Sequence, residues 1–119
     1  MYFFDTYTVI ELMEGNPAYS QFITAPFVFA KLNLIELHYH SLRKFGPDKA
    51  RLILDKYSKN VVDFDDNTII DANELRRRIA KRNVSTADCI GYVYAKRNAI
   101  RFVTGDKEFK NLENVEFVK

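Results

Sequence analysis

The chain has 119 residues, 47% of them hydrophobic, with 10 Phe and 7 Tyr to fill a core, so it is expected to fold alone as one domain spanning residues 1–119. A formal net charge of +2, with the basic residues spread along the chain, permits a polyanionic partner without demanding one. Cys89 is the sole cysteine, which excludes an intrachain disulfide or a thiolate metal site, and no segment approaches the ~18 apolar residues that span a bilayer; a cytoplasmic, non-secreted protein is expected.

Short β-branched or aromatic runs alternate with longer helical patterns, the signature of an α/β fold with a parallel sheet and crossover helices. Tyr2-Phe3-Phe4 reads as the first strand, and the following helix carries Val9, Ile10, Leu12 and Met13 before Gly15-Asn16-Pro17 stops it. Phe22-Ile23-Thr24 reads as a short second strand. A long helix is then expected from Pro26 to about Lys44, with Phe29, Leu32, Ile35 and Tyr39 on its apolar stripe, followed by a helix from Asp48 to Tyr57. Val61 to Phe64 reads as the third strand. From Asp65 to Arg82 the signals agree on a helix: Asp65 and Asp66 open it, Ile69, Ala72, Leu75 and Ile79 form its stripe, and Arg76, Arg77, Arg78, Lys81 and Arg82 close it in the order the helix dipole favours. Ser85 caps the next helix, which runs through Ile90, Val93 and Tyr94 to Asn98. Ile100 to Thr104 and Val115 to Val118 are the fourth and fifth strands.

Four acids, Asp5, Glu36, Asp88 and Asp106, stand where such a fold would carry them to one end of the sheet. Asp5 and Asp106 each follow a strand, and in open parallel sheets ligands bind outside the carboxyl ends of the strands, where strand order reverses. Two carboxylates ~5 Å apart at an effective dielectric of ~20 repel by roughly 3 kcal/mol, so convergence of four suggests a site for a divalent cation. Each acid also has a simpler role open to it. Asp5 can cap the helix that starts at Thr6; Asp88 completes a Ser85-Thr86-Ala87-Asp88 capping box; Asp106 can serve the turn before Lys107. Glu36 is the hardest to dismiss, because the periodicity puts it beside the apolar stripe, and a partly buried carboxylate needs a partner.

His38 and His40 are two apart on a helix and cannot share a ligand, although His40 is within helical reach of Glu36. The Arg76–Arg78 run is most simply a solvated helix end that, with Lys96, Arg97 and Lys107, is placed to help hold phosphates. Neither a Gly-rich phosphate loop nor a Ser/His/Asp pattern occurs.

Phe3-Phe4-Asp5-Thr6, Leu34-Ile35-Glu36-Leu37, Ser85 through Lys96, and Phe102 through Phe109 resemble, in order and spacing, the PIN-domain nucleases, and among them the small VapC-type toxins of prokaryotic toxin–antitoxin pairs. The resemblance implies a three-layer fold with five parallel strands in the order 3-2-1-4-5. It implies that Asp5, Glu36, Asp88 and Asp106 are the metal-binding, catalytic acids, with Thr104 as the hydroxyl that orients Asp106. It further implies Mg²⁺ or Mn²⁺ as cofactor, RNA as substrate, a VapB-type antitoxin as partner and a homodimer. Thr6 sits where the family favours a hydroxyl. Tyr7 stands where Ser or Asn is expected, which bears on rate or substrate choice, and Cys89 replaces a usual Ala. A second reading is a PIN-like binding module acting through protein partners. A haloacid-dehalogenase-like phosphatase, which also opens with a strand ending in Asp, ranks lower, because it needs a second Asp where Tyr7 stands.

Overall fold

The structure, a computed structural model, describes residues 1–79 and 83–119. Five strands form one sheet: β1 (Tyr2–Phe4), β2 (Phe27–Ala30), β3 (Val61–Val62), β4 (Arg101–Thr104) and β5 (Val115–Phe117), in the order β3-β2-β1-β4-β5. Every pairing is parallel, with Phe3 opposite both Val28 and Phe102, and Val103 opposite Glu116. The helices are α1 (Thr6–Met13), α2 (Lys31–Phe45), α3 (Pro47–Tyr57), α4 (Asp66–Arg78) and α5 (Thr86–Arg97). Helix α2 packs on α3, and α4 packs on α5.

Consecutive residues Phe3 and Phe4 are both fully buried, as are Phe102 and Val103, because parallel strands are covered on both faces. Rings knit the centre together: Phe4 stacks on Phe27 at 4.4 Å, and Phe102 meets Phe109 edge-on at 5.4 Å. Helix α5 lies close on β1 and β4 because Gly91 has no side chain; a Cβ there would stand 2.5 Å from Phe3 Cε1 and 2.9 Å from Phe102 Cε1. Cys89 is a buried thiol, and burial pushes its pKa up to about 11.

The second strand is Phe27–Ala30, not Phe22–Thr24. Asn16 accepts from the amide of Ala18 and Pro17 begins a 3-10 turn through Phe22, so Phe22 plugs the core against Tyr2 and Phe4 instead of pairing in the sheet. The long helix accordingly starts at Lys31, after an extended Ala30 whose amide donates to Asn33 Oδ1 at 3.0 Å. Its buried face is Asn33, Leu34, Leu37 and Ser41; Ile35 and Tyr39, placed on the stripe by periodicity, are 59% and 61% exposed. Helix α4 buries Ala72 and Leu75, leaves Ile69 exposed and ends at Arg78; Lys81 and Arg82, expected to close it, lie outside the described residues. His40 faces Glu14 at 3.6 Å, not Glu36, since Glu14 at the end of α1 also draws Lys44 to 2.8 Å. No described helix is long and apolar enough to cross a membrane.

Gly91→Val should lower unfolding stability by about 1–3 kcal/mol, the cost of overpacking between two ring systems. A urea midpoint equal to that of the wild type would show that the Phe3 and Phe102 rings yield freely.

Candidate active site

The carboxyl ends of β1 and β4 open into a cleft of about 570 Å³. Asp5, the first residue after β1, is 4% exposed, and hydrogen bonds engage both of its carboxylate oxygens. Oδ1 caps α1 by accepting from the Thr8 amide at 2.7 Å and the Thr8 hydroxyl at 2.6 Å, while Oδ2 accepts from the Thr104 hydroxyl at 2.6 Å. The Asp5 amide donates to Val103 across the strand pair. Thr104 was expected to orient Asp106; it holds the Asp5 carboxylate and reaches Asp106 only by accepting from its amide at 3.0 Å.

Asp106, Glu36 and Asp88 line the same cleft. Asp106 Oδ1 accepts from the Glu108 amide, capping a short 3-10 turn anchored by fully buried Phe109. Glu36 is exposed, because the face of α2 that meets the sheet is the one carrying Leu34 and Leu37; its Oε1 accepts from the Thr6 hydroxyl at 2.6 Å. Thr6 in turn accepts from Asn33 Nδ2 at 3.1 Å. Asp88 follows the Ser85 cap of α5, whose hydroxyl accepts from the Asp88 amide at 3.0 Å. Among the described residues, no three acid, histidine or cysteine side chains are drawn up into a ready coordination shell. Three of the carboxylates are instead engaged by donors of the chain itself: Asp5 by Thr8 and Thr104, Glu36 by Thr6, and Asp106 by the Glu108 amide.

Over residues 2–115 the sequence matches the profile of the PIN domain. The chain belongs to the PIN domain family. Among solved structures it is similar to a toxin-antitoxin complex from Klebsiella pneumoniae (18% identity, 98% of this chain and 96% of that chain covered, TM-score 0.76). It is also similar to VapBC2 from Rickettsia felis bound to a DNA fragment from their promoter (18%, 99% and 98%, TM-score 0.73). A third similar structure is FitAcB from Neisseria gonorrhoeae (15%, 98% and 96%, TM-score 0.70). At these identities the likeness is one of fold. No curated protein matches in sequence.

The electrostatics of this PIN domain separate the cleft from ordinary helix caps. Asp65 caps α4 by accepting from the Thr68 amide and hydroxyl, both at 2.9 Å, the same bonds that Asp5 receives from Thr8. Those bonds, with a smaller contribution from Arg97, hold Asp65 below the ordinary carboxylate value. Asp5 is instead shifted up, first by burial, with Asp106 adding to it against the pull of Thr104 and Thr8. Asp88 is pushed up to about 7, first by burial and then by the negative charge of Asp5, Asp106 and Glu36, with the Ser85 hydroxyl opposing. Lys119 is the only cation among the described residues of the cleft wall.

The basic residues expected near phosphate, Arg78 among them, stand away from the cleft. Arg76 donates to Thr86 at 2.8 Å, while Arg77 pairs with Glu74, Lys96 with Glu113 and Arg97 with Asp71. None of them lines the cleft, and neither does Lys107. Sequence reasoning did not single out Asn33, Thr8 or Tyr19. A buried Asn three residues into a helix and a Thr three residues after an acid are recognisable capping signals. Tyr19 carries no such signal, since it enters the cleft only through the 3-10 turn Pro17–Phe22, which falls between the expected helix stop at Gly15-Asn16-Pro17 and the expected strand at Phe22.

Because Asp88 has a folded-state pKa of about 7 against an ordinary 3.8, the folded chain holds the extra proton between those values, so stability falls as pH rises from about 4 to about 7. In chelator, wild type should therefore be more stable at pH 5 than at pH 8, by at most about 3 kcal/mol from this group. Asp88→Asn should flatten that dependence and melt above wild type at pH 8. Thermal melts of both proteins across pH check this; parallel profiles would mean that Asp88 serves only at the helix terminus.

Proposed function

We propose that this PIN domain is a divalent-metal-dependent ribonuclease and the toxin of a toxin–antitoxin pair. The observation that carries the proposal is the convergence of Asp5, Glu36, Asp88 and Asp106 on one cleft, where burial first and then the charge of the other three raise the pKa of Asp88, and where Lys119 is the only cation among the described residues of the wall. All four donors are oxygens and stand around an open cleft, a set suited to a hard ion that keeps several waters, Mg²⁺ or Mn²⁺, and poorly suited to Zn²⁺. When bound, such an ion supplies an activated water and neutralises charge on the phosphate.

The chain's own residues supply position. Thr8 and Thr104 fix both oxygens of Asp5, so its carboxylate presents one orientation; the Thr104–Asp5 bond ties the ends of strands β1 and β4 together at the site, and the Asp106 amide donates to the same Thr104 hydroxyl. The Asn33–Thr6–Glu36 relay aims Glu36 from α2 into the cleft. Asp5 and Asp88 are the principal ligands in this reading, with Glu36 and Asp106 completing the site. The names of the structural neighbours, toxin-antitoxin complexes among them, support an antitoxin partner. Exposed Ile35, Tyr39 and Leu42 fall in one line on α2, a surface suited to a protein partner such as the antitoxin or a second copy of the chain. The same surface favours the second reading, a binding module with little catalysis.

Purified protein should cleave single-stranded RNA in Mg²⁺ or Mn²⁺, lose that activity in chelator, and work poorly with Zn²⁺. Thr104→Val, which leaves all four acids in place but frees Asp5 Oδ2, should reduce kcat by about 10–100-fold, as loss of a supporting hydrogen bond to a metal ligand does. A gel-based cleavage assay reads both; metal-independent hydrolysis, or full activity in Asp5→Asn, would rule out the mechanism.

A further inference from the structure

The cleft has a second half that the four acids do not use. It is formed by Tyr7 and Glu11 on α1, by Asn16, and by Tyr19 on the following 3-10 turn. Tyr7 and Glu11 are four apart on the helix and share one face. Tyr7 is 66% exposed, an uncommon position for an aromatic ring, and it stands at the cleft rim. Glu11 accepts from Asn16 Nδ2 at 2.6 Å through Oε2, and that bond fixes the carboxylate while leaving Oε1 able to accept from a ligand. Tyr19 is 5% exposed. Its hydroxyl reaches the segment that carries Asp106, lying 2.8 Å from where a Cβ on Gly105 would stand, so glycine at 105 is what admits the phenol beside the acidic half.

Resting on the ribonuclease reading, we infer that this half of the cleft is a nucleobase subsite for guanine, next to the phosphate that is cut. Single-stranded RNA is read by stacking on aromatic rings and by hydrogen bonds to the Watson–Crick edge. Tyr7 provides an exposed ring on which a base can stack. The edge of guanine presents two adjacent N–H donors and one carbonyl acceptor. Glu11 is an acceptor held in place for the donors, and the Tyr19 hydroxyl is a donor for the carbonyl. Burial and the nearby charges of Asp5 and Glu11 push the phenol up to about 12, so it keeps its proton at any pH where RNA is handled. Cytosine offers a single donor and adenine has no carbonyl acceptor, so each fits fewer of these groups.

The test is the steady-state cleavage, in Mg²⁺, of short uridine oligonucleotides carrying one guanosine, inosine, cytidine or adenosine. Wild type should favour guanosine over adenosine in kcat/KM by about tenfold, with inosine, which lacks the exocyclic amine, between them. Glu11→Gln should shrink the guanosine advantage to within about twofold, and Tyr7→Ala should raise KM for every substrate more than it lowers kcat. Thermal melts of both variants should match wild type; if instead the Glu11–Asn16 bond only closes the end of α1, Glu11→Gln melts lower and keeps its base preference. Equal rates on the four RNAs, a cytidine preference, or a guanosine preference that survives Glu11→Gln overturns the subsite while leaving the nuclease reading intact. A wild type that cuts no RNA in Mg²⁺ or Mn²⁺ overturns both.

Discussion

The hydrogen bond from the Thr104 hydroxyl to Asp5 Oδ2 is the contact on which the cleft depends. It joins residues 99 positions apart in sequence, at the carboxyl ends of two strands that the 3-2-1-4-5 order makes neighbours. Both partners are almost fully buried, where a carboxylate without donors would be very unfavourable. The bond therefore does two things at once. It satisfies a group that the aromatic sheet has desolvated, and it fixes where β4 ends relative to β1, which sets where Asp106 emerges.

Much of this was legible in the sequence. The apolar strands β1 and β4 are short, with Asp5 directly after the first and Asp106 one glycine beyond the second, and the Ser85 cap announces the start of α5, so three of the four acids could be placed by local chemistry alone. Glu36 reached the cleft for a reason other than the one its periodicity gave. It is exposed, and it points inward because Asn33 and Thr6 hold it there, not because an apolar stripe buries it. The misplacement of β2 has the same physical origin as that error. A helical period laid across Phe27–Ala30 counted strand residues as helix and rotated the buried face of α2 onto Ile35 and Tyr39, which the structure leaves in solvent. Tertiary pairing with β1 decides the matter, and a four-residue run cannot announce that by itself.

The Asp-x-x-Thr cap shows where local reading ends. The chain uses it twice, at Asp5 to Thr8 and at Asp65 to Thr68, with nearly identical hydrogen bonds. At Asp65 those bonds dominate and favour the charged form. At Asp5 burial and the charge of Asp106 outweigh them and disfavour it. The same four-residue motif thus yields a stabilising cap at one helix and a strained carboxylate at another. What differs is the position of each helix in the sheet order: α1 starts at the point where connections diverge to either side, and α4 starts beyond the edge strand β3.

A fold that gathers like charges must draw its stability from somewhere else, and here the source is the apolar packing directly beneath the cleft. Phe3, Phe4, Phe102 and Phe109 are fully buried, and each lies within a few residues of an acid: Phe4 before Asp5, Phe102 and Phe109 on either side of Asp106. Gly91 sits three residues after Asp88, one helical turn along α5, and lets that helix settle against the Phe3 and Phe102 rings. Rigid ring packing and carboxylate placement are therefore the same feature seen from two sides. Loosening the rings would admit water and let the acids relax apart, so the tightness of the core maintains both the burial and the facing charges of Asp5, Asp106 and Glu36 that push the Asp88 pKa up to about 7.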